Sequence, residues 1–197
     1  MNLELLNALA SFGTFVVIAA TAIAAVVQLR HARSSNQIAA LNELRDSSAT
    51  DRFEAAQSFV IVGLRDIITD PRFRYELNHP GERTPRNQTL FGHINTVGNY
   101  YESMGSLVQA GLVDKELVLQ IWASNVLGTW DALAPVIAIV RRTRGATTWE
   151  NFEYLAVLSQ DWLKMHPAGT YPRGLRRMQL EDTWLAADAA YDVTQTV

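Results

Sequence analysis

The chain has 197 residues, a net charge of −3 and no cysteine. That length holds one globular domain plus one further element, and the missing thiols exclude disulfides, thiolate metal sites and cysteine nucleophiles while leaving the redox compartment unreadable. The slight acidity supplies no field for nucleic acid, so no nucleic-acid partner is expected.

Residues 5–29 carry no charge. The run LLNALASFGTFVVIAATAIAAVVQL contains twelve Leu, Ile, Val or Phe residues. As a helix it reaches ~37 Å at ~1.5 Å per residue, against a hydrocarbon core of about 30 Å. Those twelve side chains favour insertion by roughly 4–7 kcal/mol in total. A cleaved signal peptide has an apolar region of only ~7–15 residues behind a basic stretch. Here Met1–Glu4 carries an acid and no Lys or Arg. The reading is a transmembrane helix over 5–29, with a buried core helix as the main alternative. Arg30, His31 and Arg33 follow the run, and basic flanks stay on the cytoplasmic side. Residues 1–4 are therefore expected outside, with the rest of the chain cytoplasmic. Ala20 with Ala24, and Thr21 with Ala25, place small residues one turn apart, a spacing that suits lateral contact with another membrane helix.

Helical character continues through 30–47, where Ile38, Leu41 and Leu44 share a face. This predicts a juxtamembrane stalk, followed by a soluble domain over 48–197. Ser48-Ala49-Thr50-Asp51 has the form of a capping box ahead of a helix with Phe53, Ala56, Val60, Leu64 and Ile67 or Ile68 inward. Asp70-Pro71 ends that helix. Residues 72–86 read as a loop with at most a short helical piece at 73–77. Thr84-Pro85 caps and opens the next helix, in which Leu90, Ile94, Val97, Tyr101, Met104 and Val108 repeat at steps of four and three, the strongest period in the chain. Gly111 ends it.

Asp114 is a cap for a helix with Leu117, Ile121, Trp122 and Val126 inward, and Gly128 and Ala134-Pro135 predict a break or kink before PVIAIV. Thr147-Thr148-Trp149-Glu150 reads as a second capping box. Phe152, Leu155, Ser159 and Trp162 form one stripe that His166-Pro167 closes. Residues 168–174 are a predicted loop, and a last, weaker helix is expected over 180–190. No stretch alternates at a period of two. The predicted fold class is all-α, a bundle of about four to six helices behind a single N-terminal span and its stalk.

Reactive constellations are sparse. There is no phosphate loop, no dinucleotide fingerprint and no nucleophile elbow. His31, His79, His93 and His166 lack a ligand partner at a helical spacing expected to converge, so no metal and no cofactor is predicted. Glu102 and Glu153 each sit beside aromatic residues and are weighed as raised acids against the commoner reading of carboxylates paired at a surface. Arg141, Arg142 and Arg144, and Arg173, Arg176 and Arg177, form basic clusters that fit anionic lipid or plain helix-end solvation. Trp184 stands in the weak last helix, where it suits docking on a partner as well as packing.

Residues 99–167 carry NYYE, AGLVDKELV, W-x-x-L-x-P-x-I at 130–137, RR-x-RG and W-x-x-FEYLA at 149–156. With these motifs the chain resembles a bacterial family, domain of unknown function four-seven-six-zero. The resemblance implies a bacterial membrane setting and one span before a helical domain, and it carries over no catalytic residue. The expected function is non-enzymatic: an accessory or structural component of a membrane complex, or a self-associating scaffold, whose partners are the lipid bilayer and another membrane protein or further copies of itself. The alternative is a membrane-tethered enzyme or ligand sensor with a pocket in the bundle.

Overall fold

The computed structural model describes residues 3–190. The first unit closes at Pro167, and a second begins at Ala168. No strand occurs among the described residues.

Helix α1 runs unbroken over Leu3–Ser48, so apolar stretch and stalk are one rod. Among its described side chains none from Ser11 to Leu29 is buried: Phe15, Val16, Val17 and Ile18 are all exposed, and four successive positions cover every side of a helix. The other end is different. Leu44 is buried, and Ala40 and Leu41 pack against the core.

Thr50 caps α2 (Asp51–Ser58), its hydroxyl accepting from the Phe53 amide at 3.2 Å. The backbone passes through a π-helical turn (Phe59–Gly63) into α3 (Leu64–Ile67). Phe53, Ala56, Val60 and Leu64 face inward as their spacing predicts. Asp70 then caps rather than merely terminates. Its carboxylate accepts from the Arg72 amide at 2.8 Å and opens α4 (Pro71–Asn78), so most of the expected loop is helix. Buried Phe73 and Leu77, the latter beyond the reach of any local cap, hold that short helix in place.

A 3₁₀ turn (Pro80–Glu82) leads to α5 (Pro85–Gln109). The α4–α5 corner closes over Glu76, whose carboxylate is fully buried and accepts from Arg72 Nε, Asn87 Nδ2 and the Thr84 amide. Burial alone would raise this carboxyl, but the bonds from Arg72 and Asn87 and from the Thr84 amide outweigh it and hold Glu76 below the usual carboxylate range.

Helix α6 (Lys115–Arg144) opens on Asp114 and corrects two expectations. It contains no break: Pro135 lies inside a continuous helix, flanked by buried Leu133, Val136 and Ile137, whose burial offsets the lost hydrogen bond. Its inner face is also rotated. Val118, Leu119, Ala123 and Val126 are buried, whereas Leu117 and Ile121 are 40% and 53% exposed. The run LVLQIW is apolar at nearly every position, so its pattern does not fix a phase; the neighbouring helices do.

Helix α7 (Glu150–Met165) packs against both α5 and α6, and Phe152, Leu155, Ser159 and Trp162 are buried. These three helices carry most of the core. The second unit holds one short helix, α8 (Leu185–Ala189), instead of the expected helix over 180–190. All its residues from 168 to 190 are exposed, and a helix without a buried face has nothing to extend it.

Candidate functional site

The helical bundle is joined to α1 at a small corner. The Tyr100 hydroxyl, from the middle of α5, donates to the Leu44 carbonyl at 3.2 Å. The Thr50 hydroxyl donates to Ser47 O while capping α2, and Ser48 bonds back to Arg45 O. Phe53 packs tilted against Tyr100 with ring centroids 4.5 Å apart, and Tyr100 meets Tyr101 edge-on at 5.1 Å. This aromatic ridge borders two hollows. An open groove of about 730 Å³ runs between α1 and α5, with Ala40, Glu43 and Ser47 on one wall and Ser103 and Leu107 on the other. A hollow of about 350 Å³ is lined by Ser48, Glu54, Gln57, Trp122 and the three aromatic residues of the ridge.

Beneath the ridge, Gln57 Nε2 donates to Thr129 Oγ1 at 2.8 Å. Gln57 Oε1 is buried and has no hydrogen-bond donor among the described residues. Burial raises the Tyr101 phenol against the lowering effect of Thr129 and Gln57. It pushes Tyr100 up to about 12 from 10.0, with a smaller raising contribution from Tyr101 and a lowering one from Ser48. The folded chain therefore holds the Tyr100 proton more tightly than the unfolded chain does. Its contribution is complete below about pH 10 and is lost as the pH rises from there through about 12. Tyr100→Phe is expected to lower stability by about 1 kcal/mol at pH 7, through the lost bond to Leu44, and to flatten the alkaline fall in thermal midpoint. An alkaline limb identical to that of the parent chain would assign the titration elsewhere.

The residues weighed as acids serve structure. Glu102 projects from α5 to the start of α7, where its carboxylate accepts from the Phe152 amide at 2.9 Å and from Asn151 Nδ2 at 2.8 Å. It is the cap of α7, supplied from another helix. The expected capping box at 147–150 is absent. The N-cap is Trp149, left-handed at φ 55° with no side-chain bond, a conformation costing about 1–2 kcal/mol in a non-glycine residue. The turn sends the indole inward, where it donates to Asn99 at 2.9 Å. Arg141 grips the same turn from α6: it pairs with Glu153 at 2.7 Å and donates to the Thr148 and Trp149 carbonyls. Two glycines of α5 permit the approach. A Cβ on Gly98 would lie 2.6 Å from the Trp149 ring, and one on Gly105 would collide with the Asn151 carbonyl. Glu102→Ala is expected to cost about 2 kcal/mol, from the lost cap and the orphaned amide. That is a fall of roughly 4–8 °C in thermal midpoint for a chain of this size, read by thermal unfolding. An unchanged midpoint would refute the capping role.

The remaining sequence-based sites are scattered. His93 is half-buried against Phe59, with ring centroids 5.6 Å apart. Ala20, Thr21, Ala24 and Ala25 are exposed on α1, with Thr21 bonded back to Val17 O at 2.8 Å. Arg142 and Arg144 are exposed, but Arg141 is spent on α7. In the second unit, Arg177 lies over the Tyr171 ring at 4.7 Å and donates to Ala168 O, Tyr171 donates to Arg176 O, and Arg173 and Trp184 are exposed. No group of three or more His, Asp or Glu residues with metal-holding geometry occurs among the described residues. Sequence reasoning missed the Gln57–Thr129 pair and the two glycine approaches. The available signals were polar residues at core spacing and glycines seven apart inside a strongly periodic helix.

These features define a class: a helical bundle hung from the end of one long apolar helix. The chain belongs to the family described as Domain of unknown function (DUF4760), which matches residues 15–162. The match spans most of the apolar helix, the corner and α2–α6, and ends at Trp162 on α7, before the second unit begins. Neither the curated proteins nor the solved structures contain a match.

Proposed function

We propose that this chain is a single-pass protein of the bacterial inner membrane, anchored by residues 5–29, whose cytoplasmic bundle acts as an accessory or self-associating element of a membrane complex. The observation that carries this reading is α1. A helix apolar on all sides is unstable in water unless something covers it, and none of the described side chains from Ser11 to Leu29 is buried in the chain. α6 is also long and apolar enough to span a bilayer, but 44% of its most apolar window is buried within the bundle, as befits a core helix.

The direction follows from Arg30, His31 and Arg33 at the end of the apolar run. The assembly role is supported by the employment of the carboxylates: Glu76, Glu102 and Glu153 are each committed to holding helices together. Two measurements test the reading. The native chain lacks cysteine, so a single cysteine reports sidedness cleanly. Gly81→Cys is expected to react with an impermeant maleimide only after lysis, and Asn2→Cys in intact cells; the reverse pattern would overturn the topology. Purification in mild detergent is expected to give an oligomer or a larger assembly, and a strictly monomeric, partner-free species would overturn the assembly role. A second reading, a membrane-tethered ligand sensor, is favoured by one observation: both hollows lie where the bundle meets α1.

A further inference from the structure

We infer that the hollow of about 350 Å³ beside the end of α1 binds a small organic ammonium ion. The volume lies within the range of ligand sites, about 300–1,000 Å³. Four aromatic side chains line it: Phe53, Tyr100, Tyr101 and Trp122. Aromatic faces carry negative quadrupole charge and attract cations, more strongly where water is excluded. The rings are held before any ligand arrives. Tyr100 is fixed by its bond to Leu44 and its contact with Phe53, and Tyr101 stacks on Phe152 at 5.0 Å.

The charged lining has one sign. Glu54 supplies a carboxylate with no ion-pair partner among the described residues, and no Lys or Arg contributes to the wall. An ammonium group answers both features, its positive charge being attracted by the Glu54 carboxylate and by the ring faces. An anion would meet only repulsion from Glu54.

The source of the ligand is a free solute rather than a lipid headgroup. Ser48, on the wall, lies 19 residues beyond Leu29, which is ~28 Å of helix. The assignment does not depend on α1 residing in lipid, because every group it uses belongs to the corner and the bundle.

The test titrates the full chain, in uncharged maltoside micelles, with isobutylammonium chloride against isobutanol, its neutral isostere. The readout is the Trp122 indole N–H resonance. Isobutylammonium is expected to give a saturable shift, with isobutanol at least about fivefold weaker. Glu54→Gln, at an exposed position, is expected to weaken the cation about fivefold while leaving the thermal midpoint unchanged. Asp66→Asn, at an exposed carboxylate twelve residues beyond Glu54 along the same helical segment, roughly 18 Å away, is expected to leave the affinity unaltered. Equal shifts from the alcohol, an unaffected Glu54→Gln variant, or no saturation up to about 0.1 M would each overturn the assignment.

Discussion

Replacing Val17 and Ile23 together with arginine is expected to remove the protein from the membrane fraction. Each arginine near the centre of a span costs about 2.5–3.5 kcal/mol. Two cost about as much as the whole roughly 4–7 kcal/mol that the apolar side chains of residues 5–29 contribute. Both positions are exposed, at 64% and 67%, and touch no part of the bundle core, so the effect falls on insertion rather than on folding. Alkaline carbonate extraction of membranes checks it. The parent chain and an Asn36→Arg control, which lies beyond the apolar run on the exposed stalk, are expected to stay with the lipid. Retention of the doubly substituted chain in the pellet would sink the anchor reading.

The second large effect is expected at Gly105. Its position on α5 is where the backbone of α7 comes closest, and an added methyl would meet the Asn151 carbonyl rather than a flexible side chain. That turn cannot drift away, since Glu102 holds it from α5 and Arg141 holds it from α6. Gly105→Ala is therefore expected to destabilise the bundle by about 3 kcal/mol, the upper part of the usual range for overpacking, or roughly 6–12 °C in midpoint. Gly92→Ala on the same helix meets nothing within 4 Å. There alanine's better helix propensity is expected to leave stability unchanged or raise it by up to about 1 kcal/mol. Thermal unfolding of both variants separates the two mechanisms, and equal midpoints would refute the close approach.

The two effects mark the ends of the molecule's design. At one end α1 presents apolar side chains in every direction. At the other, it is tied to the bundle by the packing of Ala40, Leu41 and Leu44, the Tyr100 bond and the capped turn at Thr50. A ligand in the 350 Å³ hollow would touch Ser48 and the bundle together. That is the place where binding energy could bias how the rod and the bundle are joined.

Much of this was legible in the linear chain because it rests on local rules. The length of the uncharged run, the caps at Asp114 and Thr84, the proline at the first turn of α5 and the period of Ile94, Val97, Tyr101 and Met104 each involve residues within a few turns of one another. Helix existence, the all-α class and the continuity of the stalk follow from such patterns. What only the tertiary structure decided depends on groups far apart in sequence. The cap of α7 comes from Glu102, about fifty residues away, and overrides the local Thr147–Glu150 signature. The phase of α6 is set by the helices it meets, since its sequence is apolar nearly all round. Pro135 is carried through a helix because burial on either side outweighs one missing bond. The hollow of about 350 Å³ exists only because α2, α5 and α6 bring Glu54, Tyr101 and Trp122 to the end of α1. Periodicity reports which face of a helix prefers to be dry, whereas the identity of the surface that dries it is a property of the folded chain.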